Sequence, residues 1–157
     1  MQIIIRLALA IIVSAGFIST SQAKPVTSGT KYMETIYHDC PKKNGVKECV
    51  VSFTKIPAGK VLTVENVSCS ISATNPNTGN QSLLSIVLKV SDTGIVGTQV
   101  ALPLGYGGAT ANSYSYVSQA QIFAFIVGAY VPTVTSQWSA DFDGDMTCTI
   151  GGQIGTN

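Results

Sequence analysis

Apolar residues in this chain return at every second position over short stretches, and that period leaves little room for helices. In "LLSIVLKVS" the residues Leu84, Ile86, Leu88 and Val90 fall on one parity, with Ser85, Lys89 and Ser91 around them. "CVVSFTKI" places Cys49, Val51 and Phe53 on one face, and "VGTQVALPLG" does the same with Val96, Val100, Leu102 and Leu104. Pro103 cannot donate to a ladder, so it marks an edge or a strand end. Gly, Pro, Asn and Ser break the pattern about every ten residues, as in an all-β sandwich or barrel.

Two stretches complicate this regularity. In "KVLTVENVSCSISA" the residues Leu62 and Val64 share one parity, and Val67, Cys69, Ile71 and Ala73 take the other. One strand can bury both sets only if a bulge or bend lies near Glu65-Asn66, the kind of irregularity by which a strand crosses between sheets. "QAQIFAFIVGAYVP" (119–132) is apolar on both parities, so it is expected to be a strand covered on both faces, or else a subunit contact running through Ile122–Val131. Residues 73–82 and 104–113 are rich in turn formers and are expected to be long loops.

The start of the chain has the grammar of an export signal. Arg6 precedes an apolar run from Leu7 to Ile18, and Ser21-Gln22-Ala23 offers small residues for cleavage before Lys24. The run is shorter than the roughly 20 residues needed to span a bilayer. Removing 23 of the 157 residues leaves a single domain of 134, spanning 24–157, with eight lysines against eight acids and no arginine. That balance disfavours nucleic acid, which needs clustered cations, and also bidentate recognition of phosphate. No apolar span remains after residue 23, so a secreted or periplasmic location is expected without a membrane span.

Four cysteines in an exported chain imply two disulfides. "CPKKNGVKEC" reads as a hairpin around Asn44-Gly45 that sets Cys40 opposite Cys49. Pro41 interrupts that ladder, having no N–H to give, and the three lysines form a solvated tip rather than an anion site. Cys69 then pairs with Cys148, since "VSCSIS" and "MTCTIG" both point a sulfur inward. Their loop of about 80 residues makes this bridge worth roughly 4–5 kcal/mol. His38 has no partner pattern for zinc or for nucleophilic catalysis and is expected to be structural.

The densest chemistry lies in "SADFDGDMTC", with Asp141, Asp143 and Asp145 around Gly144. An EF-hand fails here, because its sixth position falls on Met146 and its twelfth on Gly152. A hairpin with the three-residue loop Asp143-Gly144-Asp145 instead sets Phe142 against Met146, Ala140 against Cys148 and Trp138 against Ile150, giving one apolar face. Calcium at the rim is the minority reading, with Asp92, Asn75, Asn77 or Asn80 as further ligands. Tyr106, Tyr114 and Tyr116 are the candidate ligand platform, suited to a sugar ring or a partner protein; the plainer alternative is that they cover the sandwich edge. No catalytic residue is assigned: the glutamates are dispersed, and no nucleophile elbow, metal motif or phosphate loop occurs.

The run "IPAGKVLTVENVSCSIS" together with the closing "CTIGGQI" resembles small exported bacterial proteins of unassigned function, over about residues 53–154. The resemblance implies a jelly-roll-like, antiparallel β-sandwich and an export route, but no ligand and no catalytic residue. The expected function is therefore a non-catalytic binding or interaction module, contacting glycan or a protein partner through loops. A structural subunit of a surface assembly is the alternative, and an unrecognised small hydrolase is the third reading.

Overall fold

A computed structural model describes residues 25–28, 30–41, 46–74, 82–90, 99–110, 113–141 and 143–156. They form ten strands: β1 (Val26–Ser28), β2 (Lys31–Cys40), β3 (Glu48–Ser52), β4 (Lys60–Thr74), β5 (Leu83–Lys89), β6 (Gln99–Leu102), β7 (Gly105–Ala109), β8 (Ser113–Val127), β9 (Thr133–Trp138) and β10 (Gly144–Thr156). No helix among the described residues is long and apolar enough to cross a membrane. The leader expected at 1–23 lies outside the described residues.

The strands make a six-stranded sheet, β1-β2-β10-β4-β8-β7, packed on a four-stranded sheet, β3-β9-β5-β6. Four antiparallel pairings are nested: β2 with β10, β3 with β9, β4 with β8, and β5 with β6. The chain thus folds back once on itself, with β5–β6 at the bend, and the long double strand winds into two sheets. That connectivity is a jelly roll, with β1 and β7 added at the edges of one sheet.

Alternation explains the core. Leu62, Val64, Val67, Ile71, Met146, Cys148 and Ile150 from the larger sheet meet Val51, Ile86, Leu88, Val134 and Trp138 from the smaller one, all buried. Each such aliphatic side chain contributes roughly 1.5–3 kcal/mol by leaving water. The parity change in β4 is a bulge, as its sequence requires: registers shift between Val64 and Asn66 against β8, and opposite Gly151/Gly152 in β10. β4 nevertheless stays in one sheet throughout, so the expected crossing between sheets does not occur. The bulge brings backbones close: a Cβ on Gly152 would lie 1.9 Å from the Thr63 carbonyl oxygen, and one on Gly151 would lie 2.6 Å from the Asn66 amide oxygen.

Both disulfides form as expected, but in different surroundings. Cys69 and Cys148 are direct partners across β4 and β10, with Cα atoms 4.1 Å apart. Cys40 and Cys49, with Cα atoms 5.8 Å apart, join β2 of one sheet to β3 of the other. The expected Cys40–Cys49 hairpin is therefore corrected to a bridge between sheets; its turn residues, Lys42 to Gly45, lie outside the described residues. The same correction applies to "SADFDGDMTC". β9 belongs to the smaller sheet and β10 to the larger, so the segment is a corner between sheets and not a hairpin. Trp138, Met146, Cys148 and Ile150 still face inward, because each strand alternates correctly on its own. Phe142 lies outside the described residues.

Three smaller expectations also change. Leu84 is 59% exposed and Leu83 is buried in its place, since β5 shifts register between Leu83 and Ser85. Residues 105–109, read as loop, form β7, which its glycines permit because the pairing needs only backbone. β8 is not covered on both faces: Ala124 and Ile126 are buried, whereas Phe123 is 74% and Phe125 58% exposed.

Candidate functional site

The six-stranded sheet carries an outer face whose composition changes from one end to the other. Cross-strand partners share a face, so register alone assembles the rows. One row reads Thr35, Thr149, Ser68, Gln119 across β2, β10, β4 and β8, and the next reads Tyr37, Thr147, Ser70, Val117. The Thr35 and Thr149 hydroxyls lie 2.8 Å apart and share a hydrogen bond. Beyond the bulge the row Lys31, Gln153, Thr63, Phe125 ends on an aromatic ring. Phe123 and Phe125 meet edge to face there, ring centroids 5.2 Å apart, with Val127 exposed beside them. A shallow groove beside Phe125 is lined by Val61, Thr63, Gln153 and Ile154.

The apolar end of this face coincides with an unpaired backbone. β8 pairs with β4 along its length, but β7 covers its other side only at Tyr114–Val117. Among the described residues nothing pairs with Ser118–Val127 on that side. Such an edge presents N–H and C=O groups to any strand that fits. No charged residue occurs between Asp92 and Asp141, so the whole edge is uncharged.

The residues singled out from sequence lie elsewhere. Tyr114 and Tyr116 take the inward parity of β8 and are partly buried against the core; Tyr116 stands edge to face on Trp138 at 5.6 Å. Tyr106, opposite Tyr116 in β7, is 62% exposed and packs on it edge to face at 5.7 Å. The three tyrosines thus run from rim to core, and only Tyr106 offers most of its surface. Asp141 and Asp143 sit half-buried at the corner between β9 and β10, each engaged in interactions of its own, and the Asp143 carbonyl accepts the Thr74 N–H. Asp145 lies on β10, directly opposite Asp39 of β2. Among the described residues no group of three or more His, Cys, Asp or Glu side chains is placed to hold a metal ion. Asn75, Asn77, Asn80 and Asp92 lie outside them. His38 is half-buried on the inward parity of β2.

Two acidic features were not singled out from sequence. Partial burial, and then the Asp39 carboxylate opposite, raise the Asp145 carboxyl above its usual range. Glu34 is buried and faces inward from β2. Its carboxylate accepts the Tyr32 hydroxyl, the Thr54 N–H at 2.9 Å and the Thr54 hydroxyl at 2.7 Å. Burial, and then the bond to Glu34, raise the Tyr32 phenol well above its ordinary value. The signal for Glu34 was available: in "KYMETIYHDC" it shares the parity of Tyr32, Ile36 and Cys40. Compared with known proteins, the chain matches no family model and no curated sequence.

Proposed function

We propose that this chain is a non-catalytic interaction subunit of an exported assembly, working through the apolar end of its six-stranded sheet. The observation that carries the reading is the coincidence of Phe123, Phe125 and Val127, all exposed, with the unpaired stretch of β8. A contiguous apolar surface on a soluble protein marks a place where something docks, and an unpaired edge adds directional hydrogen bonds to that docking.

The acidic groups support a role without chemistry. Glu34 is held by Tyr32 and Thr54 between the sheets, where it ties β2 to the segment after β3. Asp39 and Asp145 lie on an open sheet face, not across a cleft. Export rests on the leader-like sequence at 1–23, and the pairing of all four cysteines suits an oxidising compartment.

Light scattering of the purified protein tests the reading. The average mass is expected to rise with concentration, and the Phe123→Ser/Phe125→Ser variant to remain monomeric with an unchanged unfolding midpoint. A wild-type protein that stays monomeric, and whose solubility is unaffected by the double change, would sink the proposal.

A further inference from the structure

Resting on that reading, we infer that the occupant of the β8 edge is the β8 edge of a second copy of this chain, paired antiparallel about a two-fold axis near Ala124. The backbone calls for a strand, because Ser118–Val127 presents a row of hydrogen-bonding groups that β7 stops short of covering. The side chains call for an uncharged one. From Thr93 to Ala140 the chain has no charge to attract an acidic or basic partner, and none to repel its own copy. An isologous contact needs a surface that complements itself, and a two-fold axis normal to a sheet makes the central strands antiparallel.

Register follows from facing. Residues directly opposite in a ladder project to the same face, and on β8 the odd positions point out while Ala124 and Ile126 point in. Only registers that oppose odd with odd keep both patterns. With the axis at Ala124, Phe123 of each copy lies against Phe125 of the other, and Gln121 against Val127. Moving the axis to Phe123 would oppose each Phe125 with Gln121 and lose one aromatic contact. The paired stretch, 121–127, falls within the part of β8 that β7 leaves open, so none of the described strands need be displaced. The two six-stranded sheets then continue as one, with the four phenylalanines clustered on its outer face.

Single-cysteine variants test this register directly, because all four native cysteines are in disulfides and an introduced thiol stands alone. Gln121→Cys and Val127→Cys both alter exposed positions. Mixed in equal amounts and treated with a short bismaleimide, they are expected to give the crosslinked heterodimer several-fold in excess of either homodimer. In the proposed register, two copies of residue 121 lie six positions apart along the strand, about 20 Å. Phe123→Lys is expected to weaken association about tenfold or more, since a charged edge resists pairing. Association in light scattering with homodimeric crosslinks favoured, or with a mass that climbs past the dimer without a plateau, would overturn the two-fold edge pairing while leaving the interaction-subunit reading in place. Absence of any association would overturn the edge pairing, and with solubility unaffected by the Phe123→Ser/Phe125→Ser change it would overturn both.

Discussion

In the six-stranded sheet β2 and β8 each lie one strand in from an end, each covered by a short edge strand over only part of its length, and they are defended very differently. On the β2 side, β1 covers Lys31–Met33, and the remaining stretch to Cys40 carries charge. Asp39 points outward, Glu34 points inward, and Cys40 is tied to the other sheet. Short edge strands and inward-pointing charges are the means by which natural sheets prevent edge-to-edge association. On the β8 side none of these appears along Ser118–Val127, which has neither charge nor proline. Among the described residues the same sheet thus closes one edge and leaves the other open; the side chains differ as above, and β8 also carries a register shift between Gln121 and Ala124, whereas β2 pairs with β10 without one.

The largest expected effect comes from removing the inward charge of the closed edge. Glu34→Ala leaves the Tyr32 hydroxyl and both Thr54 donors without their acceptor, at a cost of about 3 kcal/mol in chemical denaturation. Association through β8 is expected to be unchanged in this variant, provided it is measured well below the unfolding transition. A joint loss of stability and association would mean that the two edges are not independent.

The bridge at the end of β2 comes next. The Cys40→Ala/Cys49→Ala double variant opens a loop with a sequence separation of 9. The chain-entropy model assigns such a loop about 2–3 kcal/mol, less than the longer Cys69–Cys148 loop. Urea unfolding measures this directly. A β2 edge defended by its charges rather than by its bridge would remain monomeric on that side after the change.

Much of this was legible in the sequence, for a reason that also explains what was not. The inward sets of β4, β6 and β10 are nearly pure in apolar residues, so Leu62, Val67, Leu102 and Ile150 declared their own faces. The bulge near Glu65-Asn66 was visible because it breaks that purity at one point. β2 was silent, because its inward set mixes Tyr32, Glu34 and His38 with Ile36, and its outward set includes Met33 and Tyr37. The two hairpins failed for another reason: alternation fixes which way a side chain faces, but not which strand lies beside it. Asn44-Gly45 and Asp143-Gly144 are good turn sequences, but the strands on either side of each belong to different sheets, and Gly144 is already the first residue of β10. The exposure of Phe123 and Phe125 was hidden because a strand apolar on both parities reads as doubly covered. Only the sheet order shows that nothing described covers its outer face.

The smallest effect concerns the charge on the face beside the closed edge. The Asp145 carboxyl is raised by burial and by Asp39, so the folded state holds its proton more tightly than the unfolded chain does. Its contribution is unfavourable once ionised: absent below the ordinary carboxylate value, complete above the raised one, and relieved as pH falls between them. Asp145→Asn is therefore expected to stabilise the protein at neutral pH by a few tenths of a kcal/mol, given screening at a half-exposed site, and to flatten the stability profile in acid. Thermal unfolding across that range checks the sign.

Hydrogen exchange of backbone amides, followed as a function of protein concentration, sets the two edges side by side in one experiment. Protection within 118–127 is expected to rise with concentration while that within 34–40 stays constant, because only the β8 edge gains a partner. Exchange in 118–127 that is independent of concentration, or that changes in step with 34–40, would contradict the open-edge account.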